Sequence, residues 1–158
     1  MILPVMTGMS PVGGEEMMAS PRETADAFTA ALNAADFDKA AAFYAPDVVF
    51  VAPDAGELTG REQAGEHHRA FFQAFEGATV EIVGAHDAGN VTIDEWVFRG
   101  THTAPLATPT GEEVPPTGRS IELHGADVQV HRDGAVTHHR LYFDQVELLR
   151  GLGLMPGG

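Results

Sequence analysis

The sequence predicts an α+β fold in which helices come first and a curved antiparallel sheet wraps around them, leaving an internal pocket. Two observations predict it. Up to about Phe75 the apolar residues recur at helical spacing, and from Val80 onwards the period drops to two. The chain also has 158 residues and no cysteine, which is enough length for one core that needs no disulfide.

The elements follow in order. Ser20, Pro21 and Glu23 read as a helix start: an N-cap, a proline at the first helical position and the acidic partner of a capping box. Ala25, Phe28, Leu32 and Ala35 then mark one helix face, and Asp36 breaks it. A second helical stretch, Phe37–Tyr44, ends before Pro46. Val48–Val51 is a short strand, and Pro53, Gly56 and Gly60 make a loop. Arg61–Phe75 is helical again. Val80–His86, Val91–His102, Ser120–Val130 and Val136–Asp144 read as four strands separated by turn residues. Thr103–Arg119, rich in Pro, Thr and Gly, is expected to be a long hairpin loop, and Val146–Leu149 a short closing turn. Residues 1–20 are broken by Gly and Pro and are expected to be a disordered leader; residues 21–156 form the single domain.

Composition excludes several classes of partner. There are 23 acidic against 9 basic residues, a formal net charge of −14. Such a surface repels nucleic acid and anionic lipid. No signal-peptide pattern opens the chain, which with the absence of cysteine points to the cytoplasm. No ligand spacing for zinc occurs among the histidines, so neither metal nor cofactor is expected.

The string AALNAADFDKAAAFYAPDVVF, then WVFRGTHTAPL, PPTGRSIEL and DGAVTHHRLYFDQVELLRGLGL, resemble the SnoaL-like polyketide cyclase or "ester cyclase" branch of the nuclear-transport-factor-like, ketosteroid-isomerase-like cone fold. The resemblance covers about residues 22–156. It implies the cone-shaped barrel, an apolar pocket and homodimers paired through the outer face of the sheet. Ile93, Val97, Leu141 and Phe143 would supply that face by strand parity. Against the isomerase, the proton-shuttling carboxylate falls on Ala52, the oxyanion-binding tyrosine on Phe28 and the protonated aspartate on Ala126. That active site is therefore not expected.

In the SnoaL-like cyclases an aspartate near the end of the last strand is the acid/base of an intramolecular aldol closure, and the resemblance places it at Asp144. Parity puts Asp144 on one face with Tyr142, Arg140 and His138, with Val136 opening that face. The residue-level alternative is that Asp144 caps the final turn. His124 and His102 are the candidates to steady an enolate, or else are structural histidines. Phe28, Phe50, Trp96, Phe98 and Tyr142 form the expected aromatic wall, and Arg140 could pair with a carboxylate. The expected activity is cofactor-free acid/base cyclisation or rearrangement of a small apolar carbonyl substrate. The alternatives are an epoxide hydrolase or dehydratase of the same fold, or a non-catalytic binding module.

Overall fold

The computed structural model describes residues 19–155 apart from residue 109. The expected leader lies outside the described residues except for its last two positions. Helix α1 is Pro21–Asn33. The capping box at its start is complete: Ser20 Oγ accepts from Glu23 N at 3.1 Å, and Glu23 Oε1 accepts from Ser20 N at 2.9 Å. Its buried stripe is Ala25, Phe28, Ala31 and Leu32. Asp36 caps α2, Phe37–Ala42. The chain enters strand β1, Tyr44–Ala52, earlier than the sequence suggests, so Tyr44 belongs to the sheet and not to the helix. After the short β2, Gly56–Thr59, comes α3, Arg61–Gln73, with Ala64, His68 and Phe72 buried at a spacing of four.

The remaining strands are β3 (Phe75–Ala88), β4 (Val91–His102), β7 (Ser120–Arg132) and β8 (Ala135–Phe143). The expected loop Thr103–Arg119 contains a small hairpin, β5 (Leu106–Ala107) with β6 (Glu113–Val114). The main sheet runs β2-β1-β8-β7-β4-β3. Its pairs are antiparallel except β1–β8, which is parallel. The closing turn is a helix, α4, Gln145–Gly151.

The sheet curls around α1 and α3, and their shared interior holds Phe28, Tyr44, Phe50, Phe72, Phe98 and Leu123, all buried. Each such large apolar side chain stabilises the fold by about 1.5–3 kcal/mol. Arg22, near the start of α1, clasps the helix to the sheet. It donates to Asp94 Oδ1 at 2.8 Å and to Asp87 Oδ1 at 2.5 Å. Asp94 is buried, and that burial raises its carboxyl above its ordinary value despite the arginine.

One irregularity decides which residues face inward. Val130 pairs with His138 and His131 with Val136, so Thr137 has no opposite number and forms a one-residue bulge. Its hydroxyl donates to Val130 O at 3.2 Å. Val136 is inward before the bulge, but beyond it the odd residues His139, Leu141 and Phe143 turn inward. The face expected from unbroken alternation, His138–Arg140–Tyr142–Asp144, is turned out, because a one-residue slip moves a whole set of side chains across the sheet.

The same slip corrects the expected outer face at Leu141 and Phe143, which are inside. On β4, Val97 is buried, and the exterior carries Arg99 bonded to both Glu81 and Glu122 at 2.8 Å. Strand β7 starts at Ser120, but β8 reaches back only to the Gly125–Phe143 pair, so among the described residues no strand lies beside Ser120–His124 on that flank. Helix α4 occupies the flank. Glu147 accepts from His124 N at 3.1 Å and bonds its ring Nδ1 at 2.8 Å, while Leu148 and Leu152 enter the core. Among the described residues no helix is long and apolar enough to cross a membrane.

Candidate active site

A narrow slot of about 70 Å³ lies between α1, α3 and the inner face of the sheet. Its walls are largely aromatic and aliphatic, with Phe28, Phe71, Trp96, Phe98 and Phe143 prominent. Gly125 makes room for the tryptophan: a Cβ there would lie 2.4 Å from Trp96 Cη2 and 2.7 Å from the Tyr142 carbonyl oxygen.

Into this apolar space the fold brings a connected set of polar groups. Tyr44 is fully buried, and its hydroxyl lies 2.8 Å from His68 Nε2 and 2.7 Å from His139 Nδ1. His139 Nε2 lies 2.5 Å from Asp127 Oδ2. With Asp127 as a carboxylate, which only accepts, one proton arrangement satisfies the whole chain. His139 Nε2–H donates to Asp127, Tyr44 O–H donates to His139 Nδ1, and His68 Nε2–H donates to the tyrosine oxygen. Burial, reinforced by the neighbouring His139 and His67, pushes the His68 imidazole well below its usual value, which keeps it neutral. Burial and the nearby Asp127 push the Tyr44 phenol well above its usual value. Phe28 and Phe50 pack against these rings, with centroids 5.4 and 5.0 Å from His68. Asp127, His68 and His139 line the slot.

A second pair faces the same space. His67 Nε2 lies 3.2 Å from Asp54 Oδ2, and Asp54 Oδ1 is buried without a hydrogen-bond partner. Asp54 sits in the turn after β1. That turn is pinned by α4, whose Gln145 amide donates to Pro53 O at 3.0 Å.

Of the expected residues, Phe28, Trp96 and Phe98 line the slot, and Phe50 lies beneath the histidines. The others lie elsewhere. Asp144 is the N-cap of α4, its carboxylate accepting from Val146 N at 2.8 Å, and it is exposed. Tyr142 is 54% exposed on the outer face, and Arg140 shares that face. His124 is exposed and held by Glu147. His102 is buried, but away from the slot, against Phe75, with Thr117 at 3.1 Å from its Nδ1; burial lowers its pKa. Ala126 faces out with Glu95, whereas its neighbour Asp127 pairs with Asp94 on the inner face. A carboxylate therefore does stand beside the position where the isomerase aspartate falls.

Sequence reasoning passed over His67, His68, His139 and Asp127. His67 and His68 are adjacent, and strict alternation would send them to opposite faces. On a helix, however, adjacent residues are only about 100° apart, and a wide inward face accepts both. For His139 and Asp127, the inward position follows from pairing partners and the bulge. Among the described residues, no group of three or more His, Cys, Asp or Glu side chains is arranged to hold a metal ion.

Comparison with solved structures agrees with this architecture. A protein assigned as a SnoaL-like polyketide cyclase from Jannaschia sp. CCS1 superimposes with a TM-score of 0.74 at 19% identity, over 86% of this chain and 93% of that one. A Catenulispora acidiphila protein of ketosteroid isomerase-like fold, solved in complex with trimethylamine, gives 0.69 at 22% identity, over 87% and 96%. An LEH-like epoxide hydrolase from M. tuberculosis gives 0.64 at 21%, over 84% and 88%. At these identities the likeness is one of fold. No curated protein matches the sequence. The model of the SnoaL-like domain matches residues 25–139, which takes in most of α1, all of α3 and the slot residues from Phe28 to His139, and on that match the chain belongs to the SnoaL-like domain family.

Proposed function

We propose that the chain is a cofactor-free acid/base enzyme that closes a ring within an apolar, carbonyl-bearing small molecule by an aldol-type step. The observation that carries this reading is the buried chain Asp127–His139–Tyr44–His68 opening onto an apolar slot. Asp127 accepts a proton from the carbon next to a carbonyl. The resulting enolate carbon attacks a second carbonyl carbon of the same folded molecule, and the proton returns to the new alkoxide. His139 holds the carboxylate in place, and Tyr44 and His68 fix the tautomer of His139, so the base is positioned before the substrate enters. The aromatic walls favour a compact apolar substrate and keep water from quenching the enolate.

The test is exchange of carbon-bound hydrogen. Hydrophobic ketones whose α-protons exchange slowly on their own are incubated with the protein in deuterated water and followed by NMR. The wild type accelerates exchange, and Asp127→Asn loses about 10²–10⁴-fold of that rate while remaining folded. Equal exchange by both proteins removes Asp127 from the chemistry. Binding with no exchange by the wild type makes the domain a binding module.

A second reading, hydrolysis of an epoxide, is favoured by the presence of two carboxylates in the slot, Asp127 and Asp54, each on a histidine. One would activate water while the other protonates the epoxide oxygen. Turnover of an aryl epoxide to a diol that carries ¹⁸O from labelled water decides for it.

A further inference from the structure

We infer that Asp54 forms a subsite selecting a substrate whose apolar body ends in a hydrogen-bond donor, an ammonium group best of all, and rejecting carboxylates. The inference rests on the reading that the slot is the ligand site, and adds the polarity of what enters it.

Three observations support it. The Asp54 side chain is only 10% exposed, lines the slot, and leaves Oδ1 without a hydrogen-bond partner. A buried carboxylate oxygen of this kind is costly unless a donor reaches it, and native structures rarely leave one empty without a use. Its other oxygen lies 3.2 Å from His67 Nε2, a contact that orients Asp54 but does not cover Oδ1. Gln145 fixes the turn from outside, so the carboxylate is held in place rather than free to swing to solvent.

The second observation is the charge of the slot. Among the described residues that line it, the acidic ones are Asp54 and Asp127, and no lysine or arginine is present. Arg140, a candidate partner for Asp144, Glu122 or a substrate carboxylate, is on the outer face. A ligand carboxylate would meet two carboxylates in an apolar medium with no lysine or arginine to neutralise it.

The third is the aromatic lining. Trp96, Phe28, Phe71 and Phe143 present π systems to the same space. Such walls attract a cation or its polarised N–H bonds while accepting the hydrocarbon body. Together they describe a site for an amine-terminated or hydroxyl-terminated apolar molecule, oriented with its donor end at Asp54 and its reacting end at Asp127.

Trp96 is the sole tryptophan of the chain and lines the slot, so its fluorescence reports occupancy directly. The probes are three molecules of one shape: cyclohexylmethylammonium, cyclohexylmethanol and cyclohexanecarboxylate, titrated at pH 7.5. For the wild type the ammonium binds tightest and the carboxylate at least about 10-fold more weakly than the alcohol. In Asp54→Asn the ammonium loses about 10–100-fold and falls to the level of the alcohol, the usual size of a lost charge-assisted hydrogen bond. The inference is overturned if the wild type binds the carboxylate as well as the ammonium, if Asp54→Asn leaves the preference intact, or if none of the three perturbs Trp96. The wild-type ranking needs no variant to fold. Binding is also read without turnover, so a failed proton-exchange assay removes the proposed chemistry and leaves this subsite standing.

Discussion

Replacing Tyr44 by phenylalanine removes one oxygen atom and should cost far more than its size suggests. The hydroxyl is fully buried and bridges two ring nitrogens, His68 Nε2 at 2.8 Å and His139 Nδ1 at 2.7 Å. Phenylalanine fills nearly the same volume, so the cavity term is small. The cost comes from what is left behind: two buried nitrogens without partners, each worth about 1–3 kcal/mol. A neutral imidazole can change tautomer but cannot satisfy both nitrogens here, because His139 must still donate to Asp127. A total near 3 kcal/mol is expected, which for a chain of 158 residues lowers Tm by roughly 10 °C. Urea denaturation with a shared m-value measures it. The double variant Tyr44→Phe/His68→Leu removes one orphan along with its former partner, so it should cost clearly less than the two single changes added together. A Tyr44→Phe protein within about 0.5 kcal/mol of wild type, or strict additivity in the cycle, would refute the connected chain.

Asp144→Ala should lower stability by about 1 kcal/mol through loss of the α4 cap and leave proton exchange unchanged; a 100-fold loss of exchange at that small cost would return Asp144 to the chemistry. Acid should destabilise the fold. His68, His102 and His131 all have pKa values lowered by burial, so the unfolded chain takes up protons first as pH falls through about 6.5. Stability is therefore full above that pH and falls below it, by at most about 4 kcal/mol per pH unit for three groups; a flat unfolding free energy between pH 7.5 and 5.5 would refute this. Two copies pairing across the outer face of the sheet should give about twice the 16.8 kDa chain mass by light scattering at micromolar concentration, and Tyr142→Glu should halve it. A wild-type mass of one chain removes the pairing.

Much of the fold is legible in residue order because its signals are local. Ser20 and Glu23 announce α1, the change of period after Phe75 announces the sheet, and the aromatic residues of β4 alternate cleanly, so Trp96 and Phe98 were read on the correct face. The candidate site was less legible because two of its determinants are relational. Thr137 looks like any strand residue. Only its lack of a partner on β7 makes it a bulge, and that alone exchanges Arg140 and Tyr142 for His139 and Leu141 inside the slot. Asp127 is likewise inward only because it pairs with Asp94, a register no local pattern contains. Asp144 had two readings from the start, and the capping geometry that the structure adopts was the one available from its immediate neighbours.

Helix α4 also bears on how the molecule behaves in a crowded solution. Among the described residues no strand pairs with the flank of β7 at Ser120–His124, and an uncovered length of strand is the kind of template on which a foreign strand can add and aggregation can begin. A helix cannot continue a β ladder, so docking α4 there ends the sheet instead of extending it. Glu147 takes up His124 N–H and adds a charge to the margin. The last helix thus serves solubility as much as stability, and a truncation before Gln145 would leave the slot's strands in place but present an open edge to every other copy.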